Sequence, residues 1–245
     1  MRYRHEYKYL LNEYSAALIR VRASAIMKPD VFALRRDDNS NGGYFIHNLY
    51  LDDRYDSFYY AKQNGWLNRN KYRFRYYNGD LSFIRLERKH KDGKVSFKDS
   101  VKVTQEQYTA ARAGDMRFLA EREINAPEKE RRLWTELAML HRTRTLRPTA
   151  DFVYHREAYV YAPGDVRVTL DSQLFKPPDL AVAKSDHLAL GYSRMPYQPT
   201  LLEVKFTGFL PDVIKQLLAG LSLAYTEMSK YCIVRERGVL KHVQI

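Results

Sequence analysis

Lys71-Tyr72-Arg73-Phe74-Arg75 alternates a basic residue with an aromatic one at every step. Successive side chains of an extended strand point to opposite faces, so Lys71, Arg73 and Arg75 form a charged row and Tyr72, Phe74 and Tyr76 an apolar one. The apolar row is the one that packs. The charged row then holds three cations about 7 Å apart along the strand, and these repel unless water or an anion separates them. A phosphate chain meets that need. The solvated outer face of an antiparallel sheet gives the same alternation in any single strand, and it is repetition that favours the polyanion.

The pattern recurs on both sides of this stretch. Asn78-Gly79-Asp80 signals a hairpin, and the returning strand, 81–90, sets Arg85, Glu87 and Lys89 against Ile84 and Leu86. After Asp92-Gly93, Ser96, Lys98, Ser100 and Lys102 alternate with Val95, Phe97, Asp99, Val101 and Val103. Upstream, 2–10 carries Arg4, Glu6 and Lys8 on one face, and 44–52 is rich in β-branched and aromatic residues. Downstream, 147–162 places Tyr154 with Arg156, 166–171 alternates Val166, Val168 and Leu170 with charged or polar residues, and 201–207 pairs Glu203 with Lys205. That makes roughly eight strands.

Helices fall between them: after Asn12, from Asp56 to Gln63, after Thr104 in a near capping box, from Glu128 to about Thr145, and from Pro211 to about Leu223. Residues 37–43 read as a loop and 176–200 as a long surface excursion. Asp52, Asp53 and Asp56 could cluster on a metal, but strand-end and helix-cap roles suit them better.

A chain of 245 residues with a 45% hydrophobic share supports a real core. No linker or repeat divides it, so one domain, 1–245, is expected. A net charge of +12 points to an anionic partner: nucleic acid, phosphate compounds or an acidic membrane surface. The single cysteine, Cys232, excludes an internal disulfide and a CxxC-type zinc site and suits a reducing compartment. The amino terminus lacks a signal-peptide core, and no apolar run reaches the ~20 residues of a membrane span, so a cytoplasmic protein is expected. Phosphate-loop, dinucleotide, nucleophile-elbow and zincin motifs are absent.

Two arrangements suit eight such strands, about the number that closes a barrel around side chains or one slim ligand. The charged faces either point outward from a conventional core or inward around a wet tunnel, with the helices covering the apolar outside. The inward arrangement gives the amphipathic helices a surface to cover. It also accounts for Glu6-x-Lys8, Glu87-x-Lys89 and Glu203-x-Lys205, because cations neutralise phosphate while hard divalent ions take carboxylate and phosphate oxygens. The expected fold is therefore α+β: a closed antiparallel eight-stranded β-barrel with helices packed on the outside.

Arg4-x-Glu6-x-Lys8-Tyr9, Tyr50-Leu51-Asp52, Lys71-x-Arg73-x-Arg75, Leu86-Glu87-x-Lys89, Leu202-Glu203-x-Lys205-Phe206 and Ser229-Lys230-Tyr231 occur in this order. Together they resemble the VTC domain, the catalytic domain of vacuolar transporter chaperone polyphosphate polymerases, related to the CYTH and triphosphate tunnel metalloenzymes. The resemblance implies a tunnel that binds nucleoside triphosphate and polyphosphate with Mn²⁺ or Mg²⁺. It gives Lys8, Arg73, Arg75, Lys89, Arg156 and Lys205 the grip on phosphate, Glu203 the metal, and Ser229 and Lys230 a contact with the chain at one mouth. Lys71, Lys98 and Tyr154 join them as substrate-binding liners, and Glu6 and Glu87 either assist the metal or orient neighbouring cations. The SPX domain and membrane helices of the eukaryotic complex are not expected here.

The implied activity is transfer of the γ-phosphate of ATP to a growing polyphosphate chain, with pyrophosphate or polyphosphate as acceptor. Triphosphate hydrolysis in the same tunnel is one alternative. A noncatalytic module binding nucleic acid or another polyanion is the alternative from a different class, disfavoured by the E-x-K carboxylates, which would repel a nucleic-acid backbone.

Overall fold

The computed structural model describes residues 4–32, 43–93, 95–176, 193–195 and 199–239. In chain order, β1 (Arg4–Leu11) leads to α1 (Glu13–Ile26), the two-residue β2 (Lys28–Pro29) and β3 (Gly43–Asp52). Helix α2 (Ser57–Gln63) precedes the meander β4 (Asn68–Tyr77), β5 (Asp80–Asp92) and β6 (Val95–Val103). Three helices follow, α3 (Gln105–Arg112), α4 (Phe118–Asn125) and α5 (Glu128–Arg144), then the long β7 (Arg147–Tyr161) and β8 (Val166–Lys176). Last come β9 (Ser193–Arg194), β10 (Thr200–Thr207), α6 (Asp212–Leu218), β11 (Ala224–Tyr225) and α7 (Lys230–Val239).

The chain forms two compact units. Unit 1 comprises Met1–Ile46, Tyr154–Phe175 and Arg194–Met228, and unit 2 comprises His47–Val153, Lys176–Ser193 and Ser229–Ile245. In unit 1 the hydrogen-bonded order is β11-β1-β10-β8-β7, and β7-β3-β4-β5-β6 is the order in unit 2. The strands β3 and β7 carry residues of both.

The antiparallel sheet with covering helices forms as expected, but the closed eight-stranded barrel does not. Among the described residues the sheet has eleven strands, nine on an open path and two, β2 and β9, paired off it to β7 and β8. The eight long strands are all present; the additions are β2, β9 and β11, each of two residues and too short for a periodicity signal. Ring closure fails at identifiable edges. Strand β11 occupies the outer side of β1 at Tyr9 and Leu10, and among the described residues β6 has a hydrogen-bonded neighbour, β5, on one side only.

Local chemistry sets the ends of the elements. The Asn12 side chain accepts from Ser15 N at 2.8 Å and starts α1. Thr104 and Gln107 form a reciprocal capping box at α3. Asn78 and Gly79 both take positive φ, which a tight two-residue hairpin of the right twist requires. Helix α6 stops at Leu218, short of the expected Leu223, because Gly220 turns the chain with φ near +72°. Helix α4 has no counterpart in the sequence reading: at 8 residues with only Leu119 buried, its period is too brief to stand out. The expected loop at 37–42 and most of 176–200 lie outside the described residues.

Each unit puts helices on the apolar side of its strands. In unit 2, Tyr72, Phe74, Tyr76, Ile84, Leu86, Val101 and Val103 pack against Tyr108 and Ala111 of α3 and Leu133, Trp134 and Leu137 of α5. In unit 1, Val166, Val168, Leu170, Leu202, Val204 and Phe206 pack against Ala16, Ile19 and Ala23 of α1 and Ile214 and Leu217 of α6. Phe74 has no exposed surface, so Phe74→Ala should cost about 3–5 kcal/mol, whereas Thr104→Ala, which removes one cap, should cost about 1 kcal/mol. Urea unfolding of both variants checks this ordering, and equal midpoints would contradict the packing described.

Candidate functional site

In unit 2 the register of the meander builds a face of unusual charge. Lys71 lies opposite Lys89, which lies opposite Lys98; Arg75 lies opposite Arg85, which lies opposite Lys102. Arg69 faces Lys91 and Ser96 in a third row, and Arg73 faces Glu87 and Ser100 in a fourth. The rows hold one carboxylate, Glu87, and basic residues everywhere else except Ser96 and Ser100. Like charges directly opposite across strands destabilise a sheet. The helices on the other side leave the strands no alternative, because a slip of one residue would carry the cations into the core.

Glu87 organises the middle of this face. Its side chain is 2% exposed, takes Arg73 Nε at 2.9 Å and Nη2 at 2.8 Å on one oxygen, and pairs with Lys98 Nζ at 2.5 Å through the other. Burial alone would raise its pKa, but Arg73, Arg75 and Lys98 pull it down to about 2. Arg75 donates to Asn48 Oδ1 at 3.2 Å. Arg73 also donates from Nη1 to the Tyr50 hydroxyl at 2.9 Å.

Helix α7 brings the Ser229-Lys230-Tyr231 motif to the same unit. Lys71 Nζ donates to Ser229 Oγ at 3.0 Å and sits 5.6 Å from the centre of the Tyr231 ring. Lys230 is the first residue of α7. Tyr231 stacks on Tyr50 with centroids 4.6 Å apart and donates its hydroxyl to Asp52 Oδ2 at 2.7 Å. Asp52 also accepts from the backbone N–H groups of Phe58 and Tyr59, and Asp53 from those of Tyr55 and Ser57. Both therefore cap the start of α2. Asp56 instead pairs with Arg147 and Arg235.

In unit 1 the charges are balanced. The β1–β10 register sets Glu6 opposite Lys205 and Lys8 opposite Glu203. Lys8 Nζ lies 3.1 Å from Glu6 and 3.6 Å from Glu203, and Lys205 Nζ lies 3.1 Å from Glu203 and 3.9 Å from Glu6. Arg156 reaches Glu203 at 3.7 Å and is clamped by Asp171 through two bonds of 2.6 Å. Burial works against the guanidinium charge, and Asp171, Tyr154 and Glu203 more than restore it. Tyr154 lies under that guanidinium, 5.4 Å from ring centre to Cζ.

Two carboxylates here share two ammonium groups; a hard divalent ion would find in them two of its oxygen ligands and take the rest from phosphate and water. Among the described residues no three His, Cys, Asp or Glu side chains come together in a group that could hold a metal ion. Both oxygens of Glu87 are engaged by cations, as are both oxygens of Glu203. The structure thus gathers Glu6, Lys8, Tyr154, Arg156, Glu203 and Lys205 in unit 1, and Lys71, Arg73, Arg75, Glu87, Lys89, Lys98, Ser229 and Lys230 in unit 2. Sequence reasoning left Tyr50, Arg85, Lys102 and Asp171 off the site. Arg85 and Lys102 were signalled by the same alternation, whereas the Asp171 clamp has no sequence signal.

The Glu87 ion pairs carry a pH signature. Its carboxyl ionises at about 2 in the fold against 4.5 ordinarily. Its contribution, about 3 kcal/mol, is therefore complete above the unfolded value and lost as pH falls from there towards 2. Denaturant midpoints measured across that window should fall steeply for the native protein and much less for Glu87→Gln; parallel acid limbs would contradict the assignment.

A sequence comparison with curated proteins finds no match. Among solved structures, a Hippeastrum protein reported as an adenylyl cyclase candidate with dominant triphosphatase activity is 15% identical with a TM-score of 0.58, over 97% of this chain and 96% of that one. A Bacillus halodurans protein named as an adenylate cyclase candidate is 10% identical with a TM-score of 0.51, over 99% of this chain and 98% of that one. At such identities the likeness is one of fold. The VTC domain profile, by contrast, matches residues 3–237, nearly the whole chain, and the protein belongs to the VTC domain family.

Proposed function

We propose that this chain is a metal-dependent phosphotransferase that moves the γ-phosphate of ATP, or another nucleoside triphosphate, onto pyrophosphate or a growing polyphosphate chain. The observation that carries the reading is the cross-strand row Lys71, Lys89 and Lys98, flanked by Arg75, Arg85 and Lys102. Such rows are unfavourable until a dense polyanion lies across them. Membership of the VTC family supports polyphosphate as that polyanion.

Phosphoryl transfer asks little covalent chemistry of a protein; alignment and charge stabilisation supply most of the rate. Lys71, Arg73, Arg75, Lys89 and Lys98 neutralise phosphate oxygens on the unit 2 face, with Glu87 fixing Arg73 and Lys98. Ser229 and Lys230 contact the chain beside Lys71. In unit 1, Lys8, Arg156 and Lys205 are the phosphate ligands, with Asp171 and Tyr154 holding Arg156. Glu203 and Glu6 would hold Mn²⁺ or Mg²⁺, which supplies charge neutralisation across the reacting phosphates.

Hydrolysis is the second reading, with water in place of the phosphate acceptor; the triphosphatase activity of the Hippeastrum protein is the observation that favours it. Supplying purified protein with ATP and Mn²⁺ separates the two, long acid-labile chains marking synthesis and orthophosphate alone marking hydrolysis. Lys71→Ala and Lys89→Ala should each lower turnover by about 10- to 100-fold, the worth of one charge-assisted contact. Glu203→Gln should abolish metal-dependent turnover while sparing polyphosphate binding, and unchanged activity in that variant would remove the metal assignment.

A further inference from the structure

Tyr50 stands outside every role assigned above, yet its surroundings are built around it. Its ring is sandwiched between Phe152 of β7, with centroids 5.6 Å apart and planes 8° from parallel, and Tyr231 of α7, at 4.6 Å and 18°. The hydroxyl therefore has little freedom to swing. Its partner, Arg73 Nη1, lies 2.9 Å away, while Glu87 takes the Nε and Nη2 of the same guanidinium. Two fixed acceptors on different nitrogens set both the plane and the direction of that cation.

We propose that Tyr50 is a positioning residue for Arg73 and couples polyanion binding to proton uptake, an inference that rests on the polyphosphate reading of the basic face. The charged groups around it give the sign. Strand β4 presents Lys71, Arg73 and Arg75; β5 contributes Glu87 through Arg73; α7 contributes Tyr231, whose hydroxyl is directed to Asp52, with Arg235 beyond; Phe152 adds no charge. Burial would push the phenol up, but the three cations and the Arg73 hydrogen bond bring it down to about 8. As a phenolate, Tyr50 cancels one of the cations the polyanion needs. A bound polyanion does the converse: its charge beside Lys71, Arg73 and Arg75 favours the neutral phenol, so a proton is taken up. By linkage, affinity must then weaken as pH rises through the free-protein value.

The test uses tripolyphosphate as probe on the full chain and on Tyr50→Phe, which keeps the stacked ring. Phenolate absorbance of the ligand-free protein should show one tyrosine titrating at about 8, well below the ordinary ~10, absent from Tyr50→Phe and shifted upward by the probe. Tripolyphosphate affinity should fall about tenfold more between about pH 7 and 9 in the native chain than in the variant, which cancels the probe's own titration. Superimposable titrations, or equal pH dependence of affinity, would overturn the inference. Should Tyr50→Phe fail to fold, Arg73→Gln serves: the low-titrating tyrosine should move towards 10, and no movement overturns the coupling. A native chain that does not bind tripolyphosphate at neutral pH overturns the polyphosphate reading and the coupling together, and the ligand-free titration then distinguishes that failure from a misplaced Tyr50.

Discussion

Cations face cations across β4, β5 and β6, and the buried side of the same strands is what holds them there. Nothing in the charged residues themselves favours the arrangement. It follows from the opposite face, where Tyr72, Phe74, Leu86 and Val101 are buried against α3 and α5, and from the Asn78-Gly79 turn that fixes the pairing. Burial of large apolar side chains contributes about 1.5–3 kcal/mol apiece, more than exposed like-charge pairs take away. The core thus imposes a surface on which cation faces cation.

Unit 1 solves a different problem. Its β1–β10 face alternates sign in both directions, so Glu6, Lys8, Glu203 and Lys205 satisfy one another. Arg156 is buried with Asp171, and a buried guanidinium left without its carboxylate would be strongly destabilising. Balanced groups of this kind hold their geometry in the absence of ligand. One unit therefore keeps charges ordered and ready, while the other accumulates positive potential.

The sequence made the sheet faces plain because a period of two survives in each strand: Lys71, Arg73 and Arg75 could share a face only by being extended. Glu203 and Lys205 were visible on the same grounds. What stayed hidden depended on partners distant in the chain. Asp171 is an unremarked strand residue until β7 folds beside β8 and brings Arg156 to it. Tyr50 looked like one more aromatic in β3, since its neighbours Phe152 and Tyr231 come from other elements. The open sheet was likewise unreadable, because the two residues of β11 that take the edge of β1 carry no pattern. Alternation reveals what a strand presents, not whether its last edge finds a mate.

The hydroxyl link from Tyr231 to Asp52 spans 179 residues of sequence. During synthesis β3 and the start of α2 emerge early, but the last donor to the Asp52 carboxylate leaves the ribosome only with α7. Until then Tyr50 lacks one of its stacking surfaces and Lys71 its hydroxyl partner. The meander and its covering helices are translated well before then, yet the basic face is finished only once translation has passed residue 231.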